Sequence, residues 1–371
     1  MSSKSNSIFR LMLELRAKHH KRVIRRDENS NAILIIATLF LGDLFMIAPL
    51  ISNLKTKYPS KKIVLVCREE LAGVACYLGV NHIIPSLKPS KSAINTIKSL
   101  NQGGPYSVFC LFSGRWLPAM VNLNVVEVLS FYEPANRWNH LITDEIPFPD
   151  VPTPAVEIPM LMLGDRDYIK CMPPIDLWSP TEKKVVIHVG ARSELRRMPM
   201  YLITHLVKTL SVKKIKIVIS AGPNEFNHYR ELENLLPKEV YRDIVFELGS
   251  KTIDEFVSII NSANLVVGID TGVIHMSKVM GTPTLVLMGQ SEPYIFGGDN
   301  LFSRSIHLGV DNLDCRDKKS FQGIKKDWIN RCDRNTCPLS DVLCIQNINT
   351  ELIDQSIDQL LKLSLNTPPL D

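Results

Sequence analysis

No stretch of this chain is both long enough and apolar enough to cross a bilayer. The best candidate, residues 32–41, is ten largely apolar residues ended by Gly42-Asp43, where about twenty are needed. A basic arm precedes it, as in a secretory leader. That arm is too long for a leader and no small-residue cleavage site follows, so a cytoplasmic protein is expected. Also missing are a G-x-G-x-x-G after a strand-like run and any G-x-x-x-x-G-K-[ST], which removes the main support for a dinucleotide dehydrogenase or a P-loop enzyme. No D-x-D stands in a placement that suggests bound Mg²⁺, and no cofactor is expected. No C-x₂-C pair occurs.

The body also lacks an excess of charge of either sign. Residues 1–30 hold eight of the 43 Lys and Arg but three of the 38 Asp and Glu, leaving 35 of each beyond residue 30. The formal net charge of +5 therefore sits on the arm, which argues against an extended nucleic-acid surface on the body. A length of 371 residues with 45% hydrophobic and 22% charged residues suits two ordinary globular domains.

From residue 32 onward, short apolar β-rich runs alternate with amphipathic helical stretches, the pattern of an α/β fold with mainly parallel sheets. Strands are expected near 32–37, 62–66, 81–84, 107–111 and 125–128. After a proline-dense stretch at 145–182, with eight prolines, strands are expected at 184–188, 214–219, 243–246, 264–268 and 283–287. Helices are expected at 44–57, 199–211, 225–236, 252–262 and 273–280. Proline at that density ends helices and central strands, so 145–182 reads as a crossover. The expected division is a basic arm at 1–31, a Rossmann-like domain at 32–175, a second at 176–345, and a C-terminal helix and tail at 346–371.

Ligands of such sheets bind beyond the carboxyl ends of the strands. Three turns of the second half carry suitable chemistry. Asp270-Thr271-Gly272 leads into a helix bearing His275, where free backbone N–H groups and the helix dipole attract phosphate. Asp270 would repel that anion, so it is expected to cap the helix or accept from a sugar hydroxyl. His188-Val189-Gly190-Ala191-Arg192 and then Arg196-Arg197-Met198-Pro199 place arginines before a helix start. Ser220-Ala221-Gly222-Pro223-Asn224-Glu225 offers a carboxylate. Each taken alone is also explained by a helix cap, a solvated basic loop or a dipole-compensating glutamate. Together they indicate a diphosphate site.

Leu41-Gly42-Asp43-Leu44 with Pro49, the segment Ile187 to Ala191 with Arg196 to Pro199, and Asp270 to His275 continuing to Gly281-Thr282-Pro283-Thr284 and Gly289 resemble glycosyltransferase family 9, the lipopolysaccharide heptosyltransferases. Gly297-Gly298 follow at a matching distance. The resemblance spans about residues 32–360 and is thin over 110–180. It implies a GT-B fold of two Rossmann-like domains facing across a cleft. It also implies inverting, metal-independent transfer of a sugar, heptose from ADP-heptose, to a lipid-linked or lipopolysaccharide-type saccharide. By resemblance the general base is Asp43. Donor residues are His188, Arg192, Arg196, Glu225, Asp270, Thr271, Gly272 and His275. Arg196 takes the place of a lysine found in many members, and Met198 that of a tryptophan. Thr38 to Leu41 are more apolar than the family's residues there, so the acceptor is expected to differ. Asp43 also fits as N-cap of helix 44–57. A GT-B nucleotide-sugar epimerase or hydrolase, or a non-catalytic binding member of the family, remains an alternative.

Cys67, Cys76, Cys110 and Cys171 stand singly in apolar surroundings, as core thiols do. Cys315, Cys332, Cys337 and Cys344 lie in a polar stretch resembling the cysteine segment of some heptosyltransferases, with Ile329 where several of those carry another cysteine. Reduced thiols are expected, with a disulfide or a metal site as alternatives. In the arm, Ile8, Leu11, Met12 and Leu15 fall on one helical face. Residues 1–30 could therefore lie on the inner face of the inner membrane, pack on the first domain, or form a tail.

Overall fold

A computed structural model describes residues 3–19, 30–164, 177–191, 193–222, 227–249, 252–298, 302–339 and 342–366. The chain divides into two units: Met1–Ile169 with Phe321–Lys326, and Lys170–Ser320 with Asp327–Asp371.

In unit 1 the elements run α1 Ser3–His19, β1 Ala32–Ile36, α2 Leu41–Phe45, α3 Ala48–Lys57, β2 Lys62–Cys67, α4 Ala72–Ala75, β3 His82–Pro85, α5 Lys91–Leu100, β4 Tyr106–Cys110, β5 Val125–Phe131 and β6 Asp144–Ile146. They form a six-stranded sheet of order β3-β2-β1-β4-β5-β6, parallel throughout. All five residues of β1 and of β4 are buried, because helices cover both faces of such a sheet, and that burial explains the continuous apolar runs. Strand order reverses between β1 and β4, the place outside the carboxyl ends where open parallel sheets bind ligands.

Unit 2 follows with β7 Lys184–His188, α6 Met200–Val212, β8 Lys216–Ala221, α7 Asn227–Leu235, α8 Lys238–Arg242, β9 Ile244–Leu248, α9 Ile253–Asn261, β10 Leu265–Ile269, α10 Gly272–Val279, β11 Thr284–Met288, α11 Pro293–Phe296 and β12 Ser305–Gly309. A small hairpin, β13 Ser320–Phe321 and β14 Ile324–Lys325, precedes α12 Leu343–Gln346 and α13 Thr350–Asn366. The second sheet has the order β12-β11-β10-β7-β8-β9, again parallel, with its reversal between β10 and β7. Helix α13 contributes Ile353, Ile357, Leu360 and Leu361 to the core of this unit. The α/β class expected from the alternation is therefore observed in two parallel six-stranded sheets.

Several expectations need correction. The helix expected at 44–57 is broken into α2 and α3, with Pro49 in the first turn of α3. Proline has no amide to donate and is tolerated only at a helix start. Asp43 consequently lies inside α2. The residue before that helix is Phe40, whose side chain makes no capping bond. Strands β6 and β12 were not foreseen: β6 is three residues long, and all five residues of β12 are only half-buried, so neither shows a continuous apolar run. Within 145–182, prolines accompany 3₁₀ turns such as Ile158–Leu163, while Cys171 and its neighbours lie outside the described residues. Cys67 and Cys110 are buried, but Cys76 is exposed and its thiol donates to the Gly73 carbonyl at 2.8 Å. Cys315, Cys332, Cys337 and Cys344 are all half-buried, and Cys315, Cys332 and Cys344 are free thiols.

The segment Phe321–Lys326 joins the first unit rather than the second. There Phe321 packs edge-on to Phe112 at 5.5 Å between ring centres, and Phe112 stacks on Phe131 at 5.0 Å.

Candidate functional site

Two local devices shape the end of β10. A Cβ on Gly268 would stand 2.5 Å from Ile274 Cδ1 and 3.0 Å from the His188 carbonyl oxygen, so glycine in that strand lets α10 lie close against it. At the far end of α10, Gly281 has φ 84°. The Thr282 amide donates to Ser277 O at 3.1 Å and the Gly281 amide to Lys278 O at 3.1 Å, a Schellman closure that turns the chain into β11.

Between these lies Asp270-Thr271. Thr271 is the N-cap in extended conformation, and its side chain makes no capping bond; its hydroxyl is buried without a partner. Asp270 does not cap the helix. Its Oδ1 accepts from His275 Nε2 at 2.9 Å, and Arg196 Nη2 donates to its carbonyl at 2.7 Å while standing 3.8 Å from Oδ2. Burial would raise the Asp270 carboxyl. The His275 hydrogen bond and charge, then Arg196 and the Ser291 hydroxyl, overcome that and hold it well below the usual carboxylate range. His275 is itself lowered by burial and by the Lys278 charge, with Asp270 opposing. The consistent state is an ionised Asp270 beside a neutral His275 that donates from Nε2. His275 Nδ1 is then an acceptor, buried and without a partner.

One turn further along α10, Lys278 is buried. Its ammonium donates to Gly297 O at 2.6 Å, approaches His307 Nε2 at 3.3 Å and lies 5.1 Å from the centre of the Phe302 ring. Burial pushes this lysine down to about 7, with Asp270 opposing. Burial and then the Lys278 charge hold His307 well below the ordinary histidine value. Lys278 is not among the expected site residues, although a lysine among the apolar residues of Gly272–Val279 is a legible signal. Nor is Arg316 among them, buried beneath the β11 turn, where Nε and Nη2 donate to Gly289 O at 3.2 and 2.7 Å. Burial pushes the nearby Cys344 thiol up to about 11, with Arg316 opposing.

Arg196 and Asp270 line a pocket together with Arg197, Gly289, Gln290 and Cys344. Gln290 Oε1 and Arg316 Nη1, like Thr271 Oγ1 and His275 Nδ1, are buried without hydrogen-bond partners. Native interiors seldom leave such groups unpaired, and strain, a catalytic role or a bound water or ion are the usual reasons. Arg196, Asp270, Thr271, Gly272 and His275 are thus gathered at one strand end. His188 ends the neighbouring β7 but is buried; its Nδ1 lies 3.0 Å from Ser220 Oγ, and burial pushes its pKa down to about 4. Arg192 and Glu225 lie outside the described residues. Met198, which takes the place of a tryptophan in the resemblance, is 4% exposed and sits in the core.

In unit 1, Asp43 occupies the short helix after β1. The turn leading to it is tied to the end of β4: the Thr38 amide donates to Ser113 Oγ at 3.0 Å, and the two hydroxyls are also 3.0 Å apart. Ser113 in turn donates to Leu111 O at 2.9 Å. Beyond β5, the carboxyl of half-buried Glu133 is raised by burial. Among the described residues no group of three or more His, Cys, Asp or Glu is arranged to hold a metal ion.

Residues 162–328 match the model of glycosyltransferase family 9 (heptosyltransferase). Lipopolysaccharide heptosyltransferase 1 of Campylobacter coli is 22% identical over 131 residues. That alignment takes in 35% of this chain and 37% of the relative, so the match spans little more than a third of that protein. In fold, the chain is similar to ADP-heptose lipopolysaccharide heptosyltransferase II of E. coli, at 15% identity and a TM-score of 0.66, over 90% of this chain and 99% of that one. It is likewise similar to a family 9 glycosyltransferase of Veillonella parvula, at 16% identity and a TM-score of 0.68, over 91% and 99%. The expected likeness to family 9 therefore holds in sequence and in the GT-B type of fold.

Proposed function

Taking residues 162–328 as a heptosyltransferase-like family 9 domain, we propose that the protein is an inverting glycosyltransferase that moves heptose from ADP-heptose to a lipopolysaccharide-type or other lipid-linked saccharide. The observation that carries this reading is the fixed guanidinium of Arg196 beside the N-terminus of α10, held by both the carbonyl and the carboxylate of Asp270. A leaving diphosphate needs preorganised positive charge. Arg196, the first amides of α10 and the Thr271 hydroxyl supply it without calling on a metal. Asp270 acts on this reading as the group that orients Arg196 and His275, since its own charge would repel phosphate. Gln290 and His275 offer acceptors for the hydroxyls of the ribose or the sugar.

Transfer needs one base. Asp43 takes the proton of the acceptor hydroxyl, the acceptor oxygen bonds to the anomeric carbon from the face opposite the diphosphate, and the bond from that carbon to the diphosphate oxygen breaks, releasing ADP. Work on a lipid-linked acceptor would place the protein at the inner face of the membrane that carries it.

The test is a transfer assay with ADP-heptose and a lipopolysaccharide-core saccharide, read by mass spectrometry. Wild type should release one ADP for each saccharide extended. Asp43→Asn should lower turnover by about 10²- to 10⁴-fold and leave ADP affinity unchanged. Equal turnover of the two would remove Asp43 from the reaction, and ADP release with no extended saccharide would replace transfer by hydrolysis.

A further inference from the structure

Helix α1 has two apolar faces and uses one. Leu13 and Ala17 are 1% and 0% exposed and join the core of unit 1, with Phe9 packed against it. The helix is pinned by the Arg137–Glu14 ion pair at 2.6 Å, by Arg16 donating to Asn122 Oδ1 at 3.1 Å and by His140 Nε2 at 3.0 Å from Ala17 O. Ile8, Leu11, Met12 and Leu15, the row singled out in the sequence, point the other way and are 62%, 58%, 54% and 52% exposed. At the spacing i, i+3, i+4, i+7 they form a continuous stripe, not scattered surface residues. The packed helix therefore shows its second apolar face to solvent by construction.

We propose that this stripe seats the protein on an anionic lipid bilayer, with α1 lying flat in the headgroup region. Charge selects this occupant. The last turn carries Arg16, Lys18 and His19 and the first turn no acid, while the single acid of the helix, Glu14, is taken by Arg137. The sequence continues into Lys21, Arg22, Arg25 and Arg26. A row of large apolar side chains edged with basic residues is the chemistry of an interfacial helix, and anionic headgroups add to the attraction of each cation. A second copy seated on the same face would bring two basic edges together. The orientation is fixed before docking, because the face toward unit 1 is already buried. No helix among the described residues is long and apolar enough to cross a membrane, so attachment here is peripheral.

This inference rests on α1 alone and stands or falls apart from the transferase reading. The experiment uses the full chain in vesicle flotation, with phosphatidylcholine vesicles alone and with about a third phosphatidylglycerol. Wild type should float with the anionic vesicles, less so at high salt, and weakly with the neutral ones. The variant Ile8→Ser/Leu11→Ser/Met12→Ser/Leu15→Ser should keep its circular dichroism and its ADP affinity and bind anionic vesicles at least about tenfold more weakly. Lys18→Glu should weaken binding to anionic vesicles only. Equal flotation of wild type and the four-serine variant, or none by wild type, overturns the proposal. So does a wild-type dimer in sedimentation velocity that the serine variant abolishes, since the stripe would then belong to a second copy.

Discussion

At the scale of single residues, the site is organised by one buried carboxylate. Asp270 receives His275 and lies beside Arg196, so ionisation at that position fixes two side chains at once. Lys278 lies one turn further into the unit and carries the opposite problem, a cation surrounded by protein. It sits near 7 in the fold, against about 10.4 in an unfolded chain. Between those values the unfolded chain holds a proton that the folded chain does not, so stability rises with pH through that window. Below about 7 both states are protonated and the fold bears the full cost of the buried charge. Measured against Lys278→Met, the thermal stability of wild type should therefore improve from pH 7 to pH 10, by on the order of 1 kcal/mol per pH unit. A difference that stays flat over that range would mean the ammonium is solvated.

At the scale of elements, the close seating of α10 on β10 depends on the missing side chain at Gly268. Gly268→Ala must displace Ile274 or the backbone around His188. We expect it to cost about 1–3 kcal/mol in denaturant unfolding and to weaken nucleotide binding as the start of α10 shifts. A variant as stable as wild type and equal in binding would show that this packing has slack. The ordered turn at Gly281 and the strands β7, β8, β10 and β11 were legible because their signals are local: buried parallel strands read as apolar runs, and glycine marks a turn. The break between α2 and α3 has an equally local signal in Pro49, which the helix expected at 44–57 ran through. The half-buried edge strand β12 and the hairpin β13–β14 were not legible, since half-buried edge residues have no continuous apolar run and nothing local assigns Phe321 to the first unit.

For the whole molecule, the repeated sheet order explains why candidate residues appear where they do. Asp43 follows β1 and the Asp270 turn follows β10, each beside the strand pair where its own sheet reverses order, and that is where ligands of open parallel sheets bind. Sequence showed which residue types stand in those turns. It did not show that Asp270 is bonded by Arg196, nor that His188 is withdrawn into the interior, because those contacts join strand ends far apart in the chain. In the basic arm one apolar row is legible from spacing alone; the structure adds a second face, already packed. Calorimetric titration of ADP into wild type and Arg196→Ala most directly tests the turn where Asp270, His275 and Arg196 meet. Saturable binding of ADP by wild type, weakened about tenfold or more by the substitution, an effect of about 1.4 kcal/mol, is the result predicted. Equal affinity in the two proteins, or no binding by wild type, would contradict a diphosphate site at that turn.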